Sequence, residues 1–345
     1  MAARQLIFGI PNTNIGMNRK ERTFRDNILS NLTDREMRER YRFGRETFNF
    51  LVDLLGDDIR RGTQKKSALS VEDQLSIALR FYASGSFLQV IGDTLGYDKS
   101  TVSRAVDRVT NALLSKKNQF IKWPRNQEQI DGIKAGFFDI AGFPHVIGCI
   151  DCTHVRIQRP SEDEPAFINR KNYPSINVQA VCDHEGKFNQ ITADWLGSVH
   201  DSHIFRTSSV CRYLEGNHRG LVDGILLGDN GYGCHPFLLT PYNNPQELHQ
   251  QQYNRSHAST RSLIERTFGV WKRRFHVLHS EIRMKPEKVC RIIGACAVLH
   301  NIAVMMKEPL IEENACDVPQ PVPVDNYNGP QDGKSVRDYI ARSFF

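Results

Sequence analysis

The sequence predicts an α/β fold in which a mixed β-sheet is flanked by helices and preceded by an all-helical region. Apolar side chains recur at helical spacing between 34 and 113. Short apolar runs bounded by glycines or turn residues follow between 145 and 228, and helical spacing returns from 262 to 302. Strands, a crossover helix, a further strand and then helices are typical of a mixed sheet with helices on its faces.

Composition and pattern divide the 345 residues into four parts. Residues 1–20 are polar and patternless, so we expect a flexible arm. Residues 21–125 are predicted to form a helical region, and residues 126–306 a domain that contains the sheet. Residues 307–345 are acidic and dotted with proline, so we expect a mostly flexible tail, in which 336–345 is a candidate docking helix.

The charge distribution favours a polyanion as partner. The formal net charge is +6, and residues 307–345 hold four basic and seven acidic side chains, so residues 1–306 carry +9. The eight cysteines lack the spacing of a zinc site or a disulfide framework, and the Cys-x-x-Cys at Cys149 and Cys152 is a weak signal for either chemistry. The start lacks a signal peptide and no apolar run approaches the length of a membrane span, so we expect a soluble intracellular protein without a membrane partner.

Residues 70–113 contain three helical segments with the arrangement of a helix-turn-helix. Ser70 and Asp73 predict a capping box at the first segment, Gly96 marks a turn, and Asp98 is placed to begin the third segment. The outer face of that third segment is basic and polar, and consists of Lys99, Ser100, Thr101, Ser103, Arg104 and Arg108. The face favours DNA reading by the third helix, while a plain helical bundle with a solvated basic face is the alternative.

A basic stretch with one aromatic residue links the two halves of the chain, and reads Lys122-Trp123-Pro124-Arg125. In one interpretation the tryptophan anchors the junction between the halves, because tryptophan is mostly buried in folded proteins. In the other interpretation it stacks on a nucleic-acid base.

Two predicted strands end in an aspartate. The apolar run 145–150 leads into Asp151, and the run 225–228 ends at Asp229. A third carboxylate, Glu265, lies in a segment with apolar residues at helical spacing. Carboxylates suit the hard cations Mg²⁺ and Mn²⁺, and two such ions about 3.5 to 4 Å apart supply the nucleophile activation and charge neutralisation that phosphodiester cleavage requires. The sequence therefore predicts a two-metal site for this chemistry.

Four further residues are candidates around this site. Asp201, at a predicted helix start, is a fourth metal ligand in one interpretation and an acid favoured by the helix dipole in the other. His154 lies on the opposite strand face from the first aspartate, and is interpreted as a residue that supports the ligands or contacts substrate. Arg261 and Lys272 share a helix face with the glutamate and are expected to contact DNA phosphates, while ordinary ion pairs on an exposed helix are the alternative.

Five motifs resemble the transposases of the Harbinger superfamily, over roughly residues 51–302. They are LRFYASGSF at 79–87, GCIDCTHV at 148–155, WLGSVHDS at 195–202, LLGDNGY at 226–232 with LTPY at 239–242, and IERTFG at 264–269.

This resemblance implies an RNase H-like fold with an Asp-Asp-Glu triad at Asp151, Asp229 and Glu265, and Asp201 in an additional acidic position. It implies a transposase-derived nuclease that hydrolyses DNA with divalent cations and carries a helix-turn-helix in its N-terminal part. It also implies a Myb-like companion protein for nuclear entry and DNA targeting, so we expect the chain in nucleus and cytoplasm, and a homo-oligomer is left open. The alternative is a DNA-binding or adaptor protein that retains the fold without using the pocket.

Overall fold

The computed structural model describes residues 28–62, 68–310 and 331–345. The predicted flexible arm at 1–20 and the middle of the predicted tail, 311–330, lie outside the described residues. A five-stranded mixed sheet with helices on both faces confirms the predicted α/β class.

Seven helices precede the sheet in the part of the chain that the structure describes. They are α1 (Asp34–Tyr41), α2 (Arg45–Ile59), α3 (Val71–Ser84), α4 (Leu88–Leu95), α5 (Lys99–Ser115), α6 (Lys117–Phe120) and α7 (Gln127–Ala141). The capping box predicted at α3 forms, because the Asp73 backbone N–H donates to Ser70 Oγ at 3.0 Å. Gly96 ends α4 in the left-handed conformation at φ 76°, where glycine carries no steric cost. Local capping chemistry therefore sets these helix ends.

The sheet consists of β1 (Val146–Arg156), β2 (Ser175–Cys182), β3 (Phe188–Leu196), β4 (Ile225–Leu227) and β5 (Leu238–Leu239), in the order β3-β2-β1-β4-β5. The first three strands form the predicted antiparallel meander, and β4 lies beside β1 and parallel to it, as predicted. The pairing of β5 with β4 was not predicted, because a two-residue strand has no readable periodicity. Gly148 permits the close packing of β1, since a Cβ there would lie 2.6 Å from the Val181 side chain and 2.9 Å from that of Leu226.

Six helices accompany or follow the strands within the described residues: α8 (Glu164–Phe167), α9 (Asp201–Thr207), α10 (Ser209–Asn217), α11 (Leu248–Arg274), α12 (Pro286–Met305) and α13 (Gln331–Phe344). One face of the sheet packs against α11 and α12, with the Phe188 and Trp271 rings 5.3 Å apart. The other face packs against α9 and α10 through Ile150, Phe205 and Leu214. The sheet is thus covered on both faces.

Helix α12 corrects the expectation that no apolar run approaches the length of a membrane span. By length and composition its 20 residues could cross a membrane, and it is the one described helix of which this is true. Most of the helix is buried against α5, α6, α11 and β3. Its apolar composition is that of a core helix.

Helix α5 is packed more tightly than its sequence indicated. It contacts α3 and α4 on one side and α12 on the other, so a wide arc of its surface is covered. Lys99 and Arg104 are exposed as predicted, whereas Thr101, predicted on the outer face, is only 7% exposed. The prediction for Thr101 was therefore wrong, because two sets of neighbours bury more than one face of the helix.

The two described parts of the predicted tail pack against the body of the protein. The Glu308 carboxylate accepts hydrogen bonds from Arg38 Nε at 2.8 Å and from the Gly44 backbone N–H at 2.9 Å. In α13, Ile340 is fully buried and the Asp338 carboxylate accepts a hydrogen bond from a tyrosine hydroxyl. The docking helix predicted at 336–345 is confirmed and begins earlier, at Gln331.

Candidate active site

Asp151, in the middle of β1, and Asp229, two residues beyond the end of β4, lie at the edge of the sheet where β4 ends. Cys149 pairs with Leu227 across the two parallel strands, and each aspartate follows its strand residue by two positions. Asp151 Oδ1 accepts a hydrogen bond from the Cys152 backbone N–H at 2.8 Å, and Asp229 Oδ1 accepts one from the Gly231 backbone N–H at 2.9 Å. These bonds hold both carboxylates in place at the same level of the sheet.

Helix α11 crosses β1 and adds Glu265 and Arg261 to this edge. Arg261 Nη2 donates to Glu265 Oε1 at 2.7 Å, and Arg261 Nη1 lies 3.6 Å from Asp151 Oδ2. The two carboxylates are therefore separated by one guanidinium group. The side chains of Arg261 and Asp151 are only 15% and 16% exposed, so their interaction is poorly screened by water.

The electrostatics of the two aspartates show strong like-charge coupling. Burial and then the charge of Asp229 raise the pKa of Asp151 to about 8, while Arg261 opposes the rise. Burial also raises the pKa of Asp229, and Asp201 adds to that rise. Burial would lower the pKa of Arg261, but the charges of Asp151, Glu265 and Asp229 outweigh it and raise that pKa. Full ionisation of these acids requires more positive charge than Arg261 alone provides.

Asp201 lies close to the two aspartates and is held by a residue that the sequence analysis missed. It is the first residue of α9, and its Oδ1 accepts a hydrogen bond from Asn177 Nδ2 at 3.0 Å. The same amide donates to the Val199 carbonyl at 3.0 Å, which ties the start of α9 to β2. The signal in the sequence was an amide in a strand of mostly apolar residues, and Asn177 is one of three polar side chains that are buried there, with Ser175 and Gln179.

Lys272 on α11 and His154 within β1 form hydrogen bonds that hold β1 in position. Lys272 Nζ donates to Thr153 Oγ1 and to the His154 carbonyl, both at 2.8 Å, and burial lowers the pKa of this lysine to about 8. His154 Nδ1 lies 3.0 Å from Ser175 Oγ on the neighbouring strand, and burial lowers the pKa of the imidazole to about 4. His154 is therefore neutral near pH 7, and Lys272 fixes the strand that carries Asp151.

Two further residues near the carboxylates were not selected from the sequence. The positive charge of the exposed Arg170 lowers the pKa of Asp229, which places the guanidinium within electrostatic range of that acid. The Tyr232 hydroxyl lies 3.4 Å from Cys152 Sγ, beside Asp151. Neither was visible in a sequence pattern, since the loop before β2 and the turn after β4 reach the site only in the fold.

The residues predicted to read DNA lie on α5, away from these strands. Lys99 and Arg104 are exposed and Ser103 is half-buried. Arg108 is engaged within the helical region, because its Nη1 donates to Gln74 Oε1 at 2.8 Å. DNA contact by this face, and by Arg261 and Lys272, stays a prediction.

In the described residues, the carboxylates of the candidate site are not close enough together to share a metal ion. Among residues 28–62, 68–310 and 331–345, no three His, Cys, Asp or Glu side chains are grouped so as to hold a metal ion. The Arg261 guanidinium lies between Asp151 and Glu265, at the position where positive charge is needed. A cation shared by all three acids would require Arg261 to move.

We expect the stability of the metal-free protein to decrease as pH rises from about 5 to about 8. The pKa of Asp151 is about 8 in the native state, against about 3.9 in an unfolded chain. Between these two pKa values the native protein holds a proton that the unfolded chain has lost. The contribution of this proton to the free energy of unfolding is fully present only below about pH 4 and is lost as pH rises through about 8. Asp151→Asn removes this titration, so denaturant unfolding in EDTA should show a smaller decrease for the variant. Equal decreases in both proteins would contradict the expectation.

The comparison with known proteins gives one consistent result. Residues 150–301 match the family model of the DDE superfamily endonucleases. The chain is 38% identical to the "Putative nuclease HARBI1" of Rattus norvegicus and to that of Homo sapiens, over 279 residues that cover 80% of this chain and 79% of each relative. It is also similar to the "Probable transposase for insertion sequence element IS702" of Microchaete diplosiphon, at 22% identity over 80% of this chain and 97% of the relative. No solved structure matches the chain.

The family match begins at the residue before Asp151 and ends within α12, so it contains Asp151, Asp229 and Glu265. The relatives extend the similarity over most of the chain. The chain belongs to the DDE superfamily of endonucleases, within its Harbinger group of transposase-derived proteins.

Proposed function

We propose that the protein is a divalent-metal-dependent nuclease with an RNase H-like catalytic domain that hydrolyses DNA phosphodiester bonds. The observation that carries this proposal is the arrangement of Asp151, Asp229 and Glu265 around the guanidinium of Arg261. Buried acids that repel one another and share one cation are found at functional sites more often than on ordinary surfaces.

The chemistry of the donor set supports a metal. The acids offer hard carboxylate oxygens, which Mg²⁺ and Mn²⁺ prefer. Burial and neighbouring acids raise the pKa values of Asp151 and Asp229, and a bound cation would oppose both rises. Asp151, Asp229 and Glu265 would hold the two cations, with Asp201 as an additional ligand. When bound, such cations activate water as the nucleophile and stabilise the leaving oxygen. Arg261 occupies part of this space in the structure and would have to release its carboxylates.

The chain's own residues supply the remaining functions. Released from the acids, the Arg261 guanidinium is suited to a bidentate contact with the substrate phosphate. Arg170, exposed near Asp229, adds a second cation on the same side. Lys272 holds the strand that carries Asp151 through its bonds to Thr153 Oγ1 and the next carbonyl. The neutral His154 is able to accept or donate a hydrogen bond without adding charge.

DNA contact by α5 completes the proposal. Its exposed Lys99 and Arg104 are suited to phosphates, and the helix is the third of a helix-turn-helix in this interpretation. A Myb-like companion would direct the protein to DNA and into the nucleus from the cytoplasm. Self-association into a homo-oligomer is compatible with this function and is not required by it.

The double variant Lys99→Ala with Arg104→Ala should bind DNA more weakly and with a shallower salt dependence. Both side chains are exposed, so their removal leaves the packing of α5 intact. Each lost phosphate contact should reduce the slope of log K against log salt by about one. Fluorescence anisotropy at several salt concentrations measures this slope. An unchanged slope would favour the plain helical bundle, in which the basic face is only solvated.

The proposed activity is tested by incubating the purified protein with supercoiled plasmid and Mg²⁺ or Mn²⁺, with and without the Myb-like companion. We expect nicked circles in the presence of metal and none in EDTA. An inactive protein that still performs its cellular role would favour the adaptor interpretation.

A further inference from the structure

A groove of about 1060 Å³ lies at the end of the sheet away from the carboxylates. One wall is the link between α6 and α7 with the first turns of α7, and the other is the turn between β2 and β3. Because Ala180 pairs with Asp151, Asp183 at the start of that turn lies three residues beyond the aspartate's level. At about 3.3 Å per residue this is about 10 Å. The groove is therefore separate from the candidate active site.

The charge that faces this groove is positive. Lys122 and Arg125 line it and are exposed, and neither forms an ion pair with any residue that the structure describes. The acids of the opposite wall are already engaged. Asp183 Oδ1 accepts from the backbone N–H groups of Glu185 at 3.0 Å and Lys187 at 2.9 Å, and the Glu185 carboxylate pairs with the Lys187 ammonium. Lys122, Arg125 and Lys187 outnumber Asp183 and Glu185, so the groove lining carries a formal charge of +1 that attracts an anion.

An aromatic surface lies between these cations. Trp123 is half-buried: it packs against the apolar cluster beneath α9 and α10, and it also lines the groove. The Tyr213 ring meets it edge-on at 6.2 Å and limits its rotation. An indole held in this way between two cations is a stacking platform for a nucleobase.

Two polar atoms of groove residues lack partners. Asn189 Nδ2 and His184 Nδ1 are buried, and neither has a hydrogen-bond partner among the residues that the structure describes. A buried donor without a partner is destabilising, and rotation of the Asn189 side chain toward the groove would let a ligand accept its hydrogen bond. The Asn189 amide is the kind of group that binds the edge of an unpaired base.

We propose that this groove binds a single strand of DNA, with one base stacked on Trp123, the flanking phosphates near Lys122 and Arg125, and a base edge at Asn189. A duplex does not fit this chemistry, because its bases are stacked and paired with one another. The proposal rests on the proposed function in so far as DNA is the substrate. It adds a site for an unpaired strand beyond the carboxylates that would cut it.

Gly132 provides a way to test the groove without disturbing the fold. It lies on α7 and lines the groove, and a Cβ at this position meets no atom within 4 Å. Any residue other than proline at a helical glycine raises helix propensity, so variants here should fold. Gly132→Glu places a negative charge in the groove, and Gly132→Lys places a positive one there. Gly216→Glu, at a helical glycine with equally open surroundings outside the groove lining, is the matched control.

The measurement uses full-length protein, a twelve-nucleotide oligo-dT and EDTA, so that binding is recorded without cleavage. Tryptophan fluorescence reports on the site. Of the three tryptophans, Trp271 is fully buried, and Trp195 is replaced by Trp195→Phe in all proteins tested. Trp123 is then the accessible indole. We expect oligo-dT to quench this fluorescence. Gly132→Glu should weaken binding about tenfold, because its carboxylate would repel the phosphates near Lys122 and Arg125. Gly132→Lys should bind at least as tightly as the parent, and Gly216→Glu should match it.

Three outcomes would overturn the proposal. Quenching by duplex but not by oligo-dT would assign the groove to double-stranded DNA. Equal weakening by the Glu and Lys variants would indicate that bulk, rather than charge, blocks a neutral ligand. Oligo-dT binding of the Gly132→Glu variant that equals that of the Gly216→Glu control would show that the groove takes no part. If oligo-dT quenches the tryptophan fluorescence of the parent protein but that protein does not nick plasmid, only the proposed nuclease activity is contradicted.

Discussion

Asp229→Asn and Glu265→Gln are expected to bind DNA normally and to leave supercoiled plasmid uncut. Each substitution keeps the size of the side chain and the oxygen that accepts a hydrogen bond, from the Gly231 backbone or from Arg261. Each removes one negative charge from the proposed metal ligands. Loss of a ligand removes several kcal/mol of transition-state stabilisation, which corresponds to about a 10³-fold lower cleavage rate.

The fold should survive both changes. Asp229→Asn replaces one of several clustered acids with a neutral amide, which relieves repulsion when metal is absent, so this variant should be no less stable in EDTA than the wild type. Glu265→Gln gives up one ion pair of Arg261 but keeps the hydrogen bond, and Asp151 remains beside the guanidinium. Asp194→Asn, on the exposed end of β3, is the control and should cut at the wild-type rate. Nicking of plasmid by Asp229→Asn at the wild-type rate would exclude that aspartate from catalysis.

Arg261→Met should destabilise the metal-free protein by about 3 kcal/mol near pH 9, as expected when one partner of a buried ion pair is removed. The substitution leaves Asp151 and Glu265 without the cation that lies between them. The loss should be smaller near pH 5, because burial and the charge of Asp229 raise the pKa of Asp151 to about 8, so that its carboxyl group is neutral at the lower pH. Urea unfolding in EDTA at the two pH values measures both effects.

Added Mg²⁺ should stabilise Arg261→Met more than the wild type, because the metal no longer competes with the guanidinium for the carboxylates. Arg266→Met is the matched control: it lies on the same helix, is exposed, and donates to Ser262 Oγ. Its stability should change by less than about 0.5 kcal/mol. Equal stabilities of the two variants in EDTA would show that Arg261 does not compensate the acids.

Local patterns in the sequence predicted the elements of this fold well. The glycine at 96 and the capping pair at 70 and 73 act within one helical turn, so they are readable without the tertiary structure. The positions of Asp151 and Asp229 after short apolar runs also predicted two neighbouring parallel strands, which the structure confirms. The prediction for Thr101 failed because neighbouring helices decide its burial. Helical spacing predicted α12, but the sequence analysis did not recognise that this helix has the length and apolar composition of a membrane span.

The sequence predicted which residues lie at the candidate site but not the contacts that they form there. Periodicity placed Arg261, Glu265 and Lys272 along one helix face, which the structure confirms, but it did not indicate what each side chain contacts. The contact of Arg261 with DNA phosphates stays a prediction, and the sequence did not indicate its contact with Asp151, more than a hundred residues earlier in the chain. Asn177 carries no motif of its own, and its bond to Asp201 depends on where α9 begins relative to β2.

The sequence by itself determined the class of fold, the three acids and the helix faces, because spacing of two and of 3.6 residues is a property of the local backbone. The tertiary structure alone decided that one guanidinium lies between two of those acids, that Lys272 fixes β1, and that the link around Trp123 faces the turn between β2 and β3. Apart from the Arg261–Glu265 pair within one helix, these contacts join residues about sixty to 120 positions apart. Their distances depend on how the helices pack on the sheet, which no local pattern encodes.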